Sequence, residues 1–138
     1  MNRQDLQRLS RLRSREARLL LKSGSYAGSY YLMGYAVECA LKAAIAKQTR
    51  RYDFPDKRLA NDSFTHDLKS LLQTAELWPK FEGAMRANPP LGNNWAVVKD
   101  WNEKSRYILT TSEAQARDLY SACTARTHGL LSWLKNYW

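Results

Sequence analysis

The sequence predicts an all-α protein, and three observations carry that prediction. Apolar residues recur at helical spacing along most of the 138 residues, sustained alternation of apolar and polar residues is lacking, and helix-breaking residues are few. We therefore expect an up-and-down bundle of four to five main helices with one short extra helix, formed by a single domain over residues 1–138.

The first half of the chain predicts two long antiparallel helices. Helix one should cover residues 3–22 and end at the Ser23-Gly24-Ser25 break. Helix two should follow over residues 26–48, where alanine and glycine are frequent. Small residues allow two helix backbones to approach closely, and a short connection makes consecutive helices neighbours.

The second half predicts shorter elements separated by breaks, since a residue before proline is pushed out of the helical region and a Ser-x-x-Gln pattern caps a helix. We expect a loop over 49–63 with Phe54 as an apolar plug, and then a helix that starts near Ser63 or Thr65 and is interrupted at Trp78-Pro79. A short helix over 79–87 and a loop at Pro89-Pro90-Leu91-Gly92 should follow. The remaining elements are a helix carrying Trp95 and Val98 up to about Arg106, and a last helix capped by Ser112 and Gln115 that continues through Arg126, Leu130 and Trp133.

Positive charge is concentrated at the front of the chain. The net charge is +9, and residues 1–22 hold seven bases against two acids. Five of the bases recur at spacings of three and four and should form one stripe on helix one, and we call them the basic stripe: Arg8, Arg11, Arg15, Arg18 and Lys22. Such a stripe suits a phosphate backbone, and the alternative is a solvated face that keeps the protein in solution.

Helix two carries polar residues in an apolar setting. Four of them should share one face: Tyr31, Tyr35, Glu38 and Lys42. A carboxylate on a central helix must find donors or suffer desolvation, so we expect Glu38 to meet a basic or hydroxyl partner from another helix. Arg13 is a candidate, and because Glu16 lies on the same side of helix one, the alternative is a structural ion-pair network.

Several kinds of site are not expected. The two histidines, His66 and His128, are far apart in sequence, and neither a metal-ligand pattern nor a phosphate-binding glycine loop occurs. We expect Cys39 and Cys123 to be buried free thiols in a reducing cytoplasm, and His128 to be a core residue of the last helix. Neither a signal peptide nor a membrane span is expected.

Two positions outside helix two are candidates for ligand contacts. Arg106 and Tyr107 follow Trp101, and an arginine beside an aromatic can stack a base and hold its phosphate, or can form a packed corner. His66, at the start of the third helix, can cap or pack there, or meet a ligand phosphate when charged.

Several separated segments resemble the HEPN superfamily, named for nucleotide-binding domains of higher eukaryotes and prokaryotes. The most specific segment lies in helix two, Tyr31-Leu32-x-Gly34-Tyr35-Ala36-Val37-Glu38-x-Ala40-Leu41-Lys42-Ala43. The others are Ala17-Arg18 with Leu20, Gly24-x-Tyr26, Thr65-His66-Asp67-Leu68 with Leu71-Leu72, Trp101-x(4)-Arg106-Tyr107, and Leu130-Leu131-x-Trp133-Leu134.

This resemblance implies a helical bundle, usually a homodimer, often encoded beside a minimal nucleotidyltransferase in toxin–antitoxin or abortive-infection systems. Many members of the family are metal-independent ribonucleases with an Arg-x(4–6)-His motif. That spacing is missing here, because positions 59–61 before His66 and positions 121–123 before His128 hold no arginine. Arg106 is the candidate for the family's arginine, but no histidine follows it within the window.

We therefore expect a HEPN domain, without the ribonuclease motif, that binds a nucleotide, RNA or a partner nucleotidyltransferase in a toxin–antitoxin or phage-defence setting. No cofactor and no metal are expected. One alternative is a metal-independent ribonuclease toxin that brings Arg106 and His66 together in space, and another is a purely structural protein-interaction module. The binding candidates are Arg106, Tyr107, Glu38, Lys42 and His66, with the basic stripe as a guide for phosphate.

Overall fold

The computed structural model describes residues 1–49 and 57–138, and every element in these two ranges is helical. Residues 50–56, and with them the predicted plug Phe54, lie outside the described residues. The elements are α1 (Arg3–Lys22), α2 (Tyr26–Gln48), α3 (Lys57–Asp62), α4 (Leu68–Thr74), α5 (Trp78–Ala87), α6 (Pro89–Val98), a 3-10 turn (Glu103–Tyr107), α7 (Glu113–Thr124) and α8 (Leu130–Leu134). The all-α prediction is therefore confirmed, and the described ranges contain five helices of ten residues or more.

Helices α1 and α2 form an antiparallel pair at the centre of the fold, with the bounds that the sequence predicts. Small residues line their contact, and Ala17, Ala36 and Ala40 are fully buried there. Two buried serines join the helices, since Ser10 Oγ donates to the carbonyl of Ala36 at 2.7 Å and Ser29 Oγ donates to that of Ala17 at 2.8 Å. These bonds satisfy both hydroxyls without separating the backbones.

The middle of the chain differs from prediction in two places. Residues 57–62 form α3 within the predicted loop, and α4 begins at Leu68 rather than near Ser63 or Thr65. The later start is set by Asp67, whose carboxylate accepts a hydrogen bond from the backbone N–H of Ser70 at 2.7 Å and so caps the helix.

The predicted loop at Pro89-Pro90-Leu91-Gly92 is wrong, because these residues open α6. Proline lacks a backbone N–H, but the N–H groups of the first helical turn have no acceptor within the helix. A proline pair can therefore begin a helix as well as follow one. The same rule places Pro79 in the first turn of α5, where the predicted break and short helix are confirmed.

The predicted last helix is broken into two. Helix α7 has the expected capping box between Ser112 and Gln115 but ends at Thr124, and α8 starts after Gly129. A Cβ at Gly129 would lie 2.3 Å from the carbonyl oxygen of Ala125, so the tight turn between the helices requires glycine there. His128 is half-buried in this turn, and the prediction that it is a core residue of a helix is wrong.

A buried tryptophan follows α6 and locks it to α2. The predicted helix up to Arg106 stops at Val98, and Trp101 then turns inward until it is nearly inaccessible to solvent. Its indole lies directly against Gly34, where a Cβ would come within 2.1 Å of the ring. The contact fixes the start of the 3-10 turn beside the middle of α2.

Candidate functional site

One face of α2 carries the polar residues that the sequence singles out, and we call it the α2 face. Its four residues follow at spacings of four, three and four: Tyr31, Tyr35, Glu38 and Lys42. The tyrosines and Lys42 are half-buried, whereas the Glu38 side chain is only 2% exposed. Glu38 is therefore a buried carboxylate within an apolar helix.

Glu38 is held by two basic groups that meet on the same oxygen. Its Oε1 lies 2.8 Å from Lys42 Nζ and 2.8 Å from His66 Nδ1, while its buried Oε2 has no protein partner among the described residues. An ionised carboxylate only accepts hydrogen bonds, so His66 Nδ1–H donates. This contact turns the Nε2 edge of the 45% exposed imidazole away from Glu38.

Arg13, the predicted partner of Glu38, is paired elsewhere. Its Nη1 contacts both carboxylate oxygens of Glu16 at 2.8 and 2.9 Å. The two residues are three positions apart on α1, so this pair forms within one helix. The partner that Glu38 finds outside α2 is instead His66, from the segment that precedes α4.

At the other end of the α2 face, an exposed arginine lies between two tyrosines. The Arg106 guanidinium is 4.9 Å from the ring centre of Tyr107, which is 72% exposed. Contacts with Tyr107 and then with Tyr31 raise the pKa of Arg106 above its ordinary value, and a guanidinium is in any case a cation in proteins. Of the predicted cluster of Trp101, Arg106 and Tyr107, the structure shows the Arg106–Tyr107 contact, while Trp101 is buried against Tyr31 and Gly34.

Stacked aromatic rings connect this arginine to the buried carboxylate. Tyr31 is 6.2 Å from Trp101 and 6.1 Å from Tyr35, with interplanar angles of 24° and 16°. Burial raises the pKa of Tyr35, and neighbouring Cys39 and Glu38 raise it further, so its phenol remains a hydrogen-bond donor. The α2 face thus combines aromatic surface with hydrogen-bonding groups.

The two candidate catalytic residues lie at opposite ends of this face. Arg106 contacts Tyr31, whereas His66 contacts Glu38, seven residues further along α2. A helix rises about 1.5 Å per residue, so these anchor points are roughly 10 Å apart. The arrangement offers a binding surface with a cation at one end and an imidazole at the other.

The two cysteines supply no nucleophile to this face. Both are free and buried, as predicted. Burial raises the pKa of the Cys39 thiol to about 11 and that of Cys123 above its ordinary value, and the thiolate is the reactive form of cysteine. Cys39 therefore acts as an apolar side chain behind the α2 face.

Residues 1–49 and 57–138 contain neither a candidate metal site nor a candidate membrane-spanning helix. No group of three or more His, Cys, Asp or Glu side chains there could hold a metal ion. Nor does any helix in these ranges have the length and apolar character needed to cross a membrane.

The basic stripe is exposed along α1, and the structure divides it. Arg11, Arg15 and Arg18 line a groove that is completed by α7, α8 and Lys135, whereas Arg8 and Lys22 lie outside that lining. The sequence pattern does not identify Lys135, because its place beside the stripe depends on how the end of the chain packs.

Comparison with known proteins is consistent with this architecture. No curated protein and no solved structure matched significantly. The family model described as the HEPN domain matches residues 4–137, which is nearly the whole chain, and HEPN is an all-α fold whose domains often dimerise and have nucleotide- or RNA-related functions. The match spans the α2 face, the segment that supplies His66 and the turn that carries Arg106, and the chain therefore belongs to the HEPN domain family.

Proposed function

We propose that the α2 face binds single-stranded RNA or a nucleotide. The observation that carries this proposal is the exposed guanidinium of Arg106, set against the exposed ring of Tyr107 and beside Tyr31. Bases stack on aromatic rings regardless of sequence, and arginine adds a charge-assisted hydrogen bond to phosphate. In this proposal, the two ends of the α2 face contact different parts of the ligand.

At the Glu38 end, His66 and Lys42 are positive or hydrogen-bonding groups that a second part of the ligand can reach. Lys42 is 22% exposed and His66 is 45% exposed, although both contact Glu38. Their separation from Arg106 suits a ligand that extends along α2, such as a nucleotide with its phosphates or two successive nucleotides. Glu38 itself is too deeply buried to be a primary contact and acts by orienting the His66 imidazole.

Binding without cleavage is the form of this proposal that the geometry supports best. A general base and a cation that stabilises the transition state must both reach the same phosphodiester. Arg106 and His66 contact residues two helical turns apart, and the Arg-x(4–6)-His spacing is missing from the sequence.

One observation favours the alternative of a metal-independent ribonuclease. His66 is held by a buried carboxylate, and such a pairing orients an imidazole for proton transfer. Incubation of the protein with RNA in EDTA tests this alternative. Cleavage that is lost in both His66→Gln and Arg106→Ala would establish it, and intact RNA with the wild type would exclude it.

We further propose that the protein works as a homodimer or beside a nucleotidyltransferase, in a toxin–antitoxin or phage-defence setting in the cytoplasm. The exposed apolar residues Ile108 and Leu109, the latter 93% exposed, adjoin the Arg106 turn and support a protein contact there. If the chain is instead a purely structural interaction module, replacement of Leu109 by Asp should abolish self-association in analytical ultracentrifugation while the protein binds no RNA at any salt concentration.

Arg106→Ala should weaken the binding of short fluorescent single-stranded RNA by about tenfold, because one charge-assisted phosphate contact and one stacking partner are lost. Fluorescence anisotropy measures this, and the slope of log affinity against log salt should fall by about 0.7 for each phosphate contact removed from a single strand. Tyr107→Leu should weaken binding with little change in the salt slope, because it removes stacking but no charge.

The matched control is Arg86→Ala, which removes an exposed arginine from α5. It should leave RNA affinity within about twofold of the wild type, since a screened surface charge outside the α2 face contributes little at physiological salt. Equal losses in Arg86→Ala and Arg106→Ala would show that RNA follows net charge rather than the α2 face, and the proposal would then be wrong.

A further inference from the structure

The groove between α1 and the α7–α8 segment gathers positive charge from two distant parts of the chain. Arg11, Arg15 and Arg18 reach it from α1, and Lys135 reaches it from the turn after α8. The groove has a volume of about 250 Å³ and contains no acidic residue in its lining. Four cations therefore surround one concave space.

The fold leaves this charge uncompensated. In the two described parts of the chain, the ion pairs involve bases other than the four that line the groove. Arg13, which lies between Arg11 and Arg15 in sequence, is paired with Glu16. Like charges three and four residues apart on a helix repel each other. An anion bound in the groove would relieve that repulsion. If the stripe served only as a solvated face, there would be no reason for Lys135 to lie beside it.

Three residues that line the groove carry hydroxyl groups: Ser10, Ser14 and Tyr120. Ser10 is almost fully buried, and its hydroxyl donates to the carbonyl of Ala36, whereas the Met33 sulfur, at 4.0 Å, is the hydrogen-bond partner of Ser14 Oγ among the described residues. Thioether sulfur is a weak acceptor, so the Ser14 hydroxyl can turn to a stronger one. Tyr120 also lines the groove.

The position of Arg11 is fixed by stacking. Its guanidinium lies 4.8 Å from the ring centre of Trp138, a buried residue. A guanidinium that is already oriented loses less side-chain entropy when it binds a ligand. Planar guanidinium groups and hydroxyl donors together are the groups that recognise phosphate oxygens.

We propose that this groove binds a phosphate group, belonging either to a polynucleotide backbone or to a small phosphate ester. The groove lies on the α7–α8 side of α1 and includes no residue of the α2 face. The proposal therefore does not depend on RNA binding at Arg106. Arg11, Arg15 and Arg18 line the groove, whereas Arg8 and Lys22 do not. These last two bases of the basic stripe therefore provide an internal control.

The test compares two double variants that lose the same charge. Arg15→Gln with Lys135→Gln alters the groove, and Arg8→Gln with Lys22→Gln removes two exposed bases of α1 that do not line it. Calorimetry with inorganic pyrophosphate and anisotropy with single-stranded RNA are run at constant ionic strength. Circular dichroism verifies that each variant is folded, and Arg18→Gln provides a second, milder change in the groove.

The groove variant should bind at least one of these probes about tenfold more weakly, whereas the Arg8 and Lys22 variant should stay within about twofold of the wild type. Loss of pyrophosphate binding would identify a small phosphate ester, and loss of RNA binding alone would identify a polynucleotide backbone. Equal losses in both variants, unchanged binding in the groove variant, or no binding by the wild type would each overturn the proposal. Repeating the comparison in Arg106→Ala separates it from the α2 face, since the groove effect should persist there.

Discussion

Gly34→Ala is expected to destabilise the protein by about 3 kcal/mol, because the new Cβ would overlap a side chain that cannot easily move. That Cβ would lie 2.1 Å from Trp101 Cε2 and 2.2 Å from its Cδ2 and Nε1. The indole is 2% exposed and packed against Tyr31, so it can shift only by opening the core. Urea unfolding followed by circular dichroism measures the change in the free energy of unfolding.

A second glycine provides the control for Gly34→Ala. Gly83 lies inside α5, and a Cβ there would meet nothing within 4 Å. Gly83→Ala should therefore stabilise the protein by up to about 1 kcal/mol, the difference in helix propensity between the two residues. A Gly34→Ala protein as stable as the wild type would show that the indole has room to move, contrary to the packing described above.

Lys42→Met is expected to cost about 2 to 3 kcal/mol of unfolding free energy, because it leaves a buried carboxylate with one basic partner instead of two. Loss of a partner from a fully buried ion pair costs more, but Lys42 is 22% exposed and His66 continues to bond Glu38 Oε1. Thermal and urea unfolding of the variant at neutral pH would measure the cost.

Two further variants separate the charge effect from simple truncation. Lys47→Met removes an exposed lysine from the same helix and should change the unfolding free energy by less than about 0.5 kcal/mol. Glu38→Gln combined with Lys42→Met removes both charges and should recover most of the loss, because no unpaired charge is then buried. A double variant as unstable as Lys42→Met would mean that packing of the lysine stem, and not the carboxylate, sets the cost.

The parts of the fold predicted correctly are those set by local sequence. Both long helices have their predicted bounds, since an uninterrupted helical period and the break after Lys22 determine them. The capping box at Ser112 is likewise a property of four consecutive residues. The prolines at 89 and 90 were ambiguous in principle, because proline both follows helices and opens them.

Errors arise where packing between distant segments decides the outcome. The break after Thr124 is the exception, because Gly129 is a local helix-breaking signal, and its N–H donates to the carbonyl of Ala125 four residues earlier. The burial of Glu38 follows from its apolar helix, but its partner His66 is set by the docking of the segment before α4 onto α2. Lys135 reaches the basic groove for the same kind of reason.

The contact between Trp101 and Gly34 also bears on the order in which the protein folds. The α1–α2 pair closes through a short turn, whereas docking Trp101 onto α2 closes a loop of nearly half the chain, which costs more entropy. We expect the helical pair to form in the folding nucleus and the indole to dock late, so that Gly34→Ala mainly accelerates unfolding in stopped-flow measurements. Arg106 is held beside Tyr31 by that late contact, and the α2 face is then among the last surfaces to be completed.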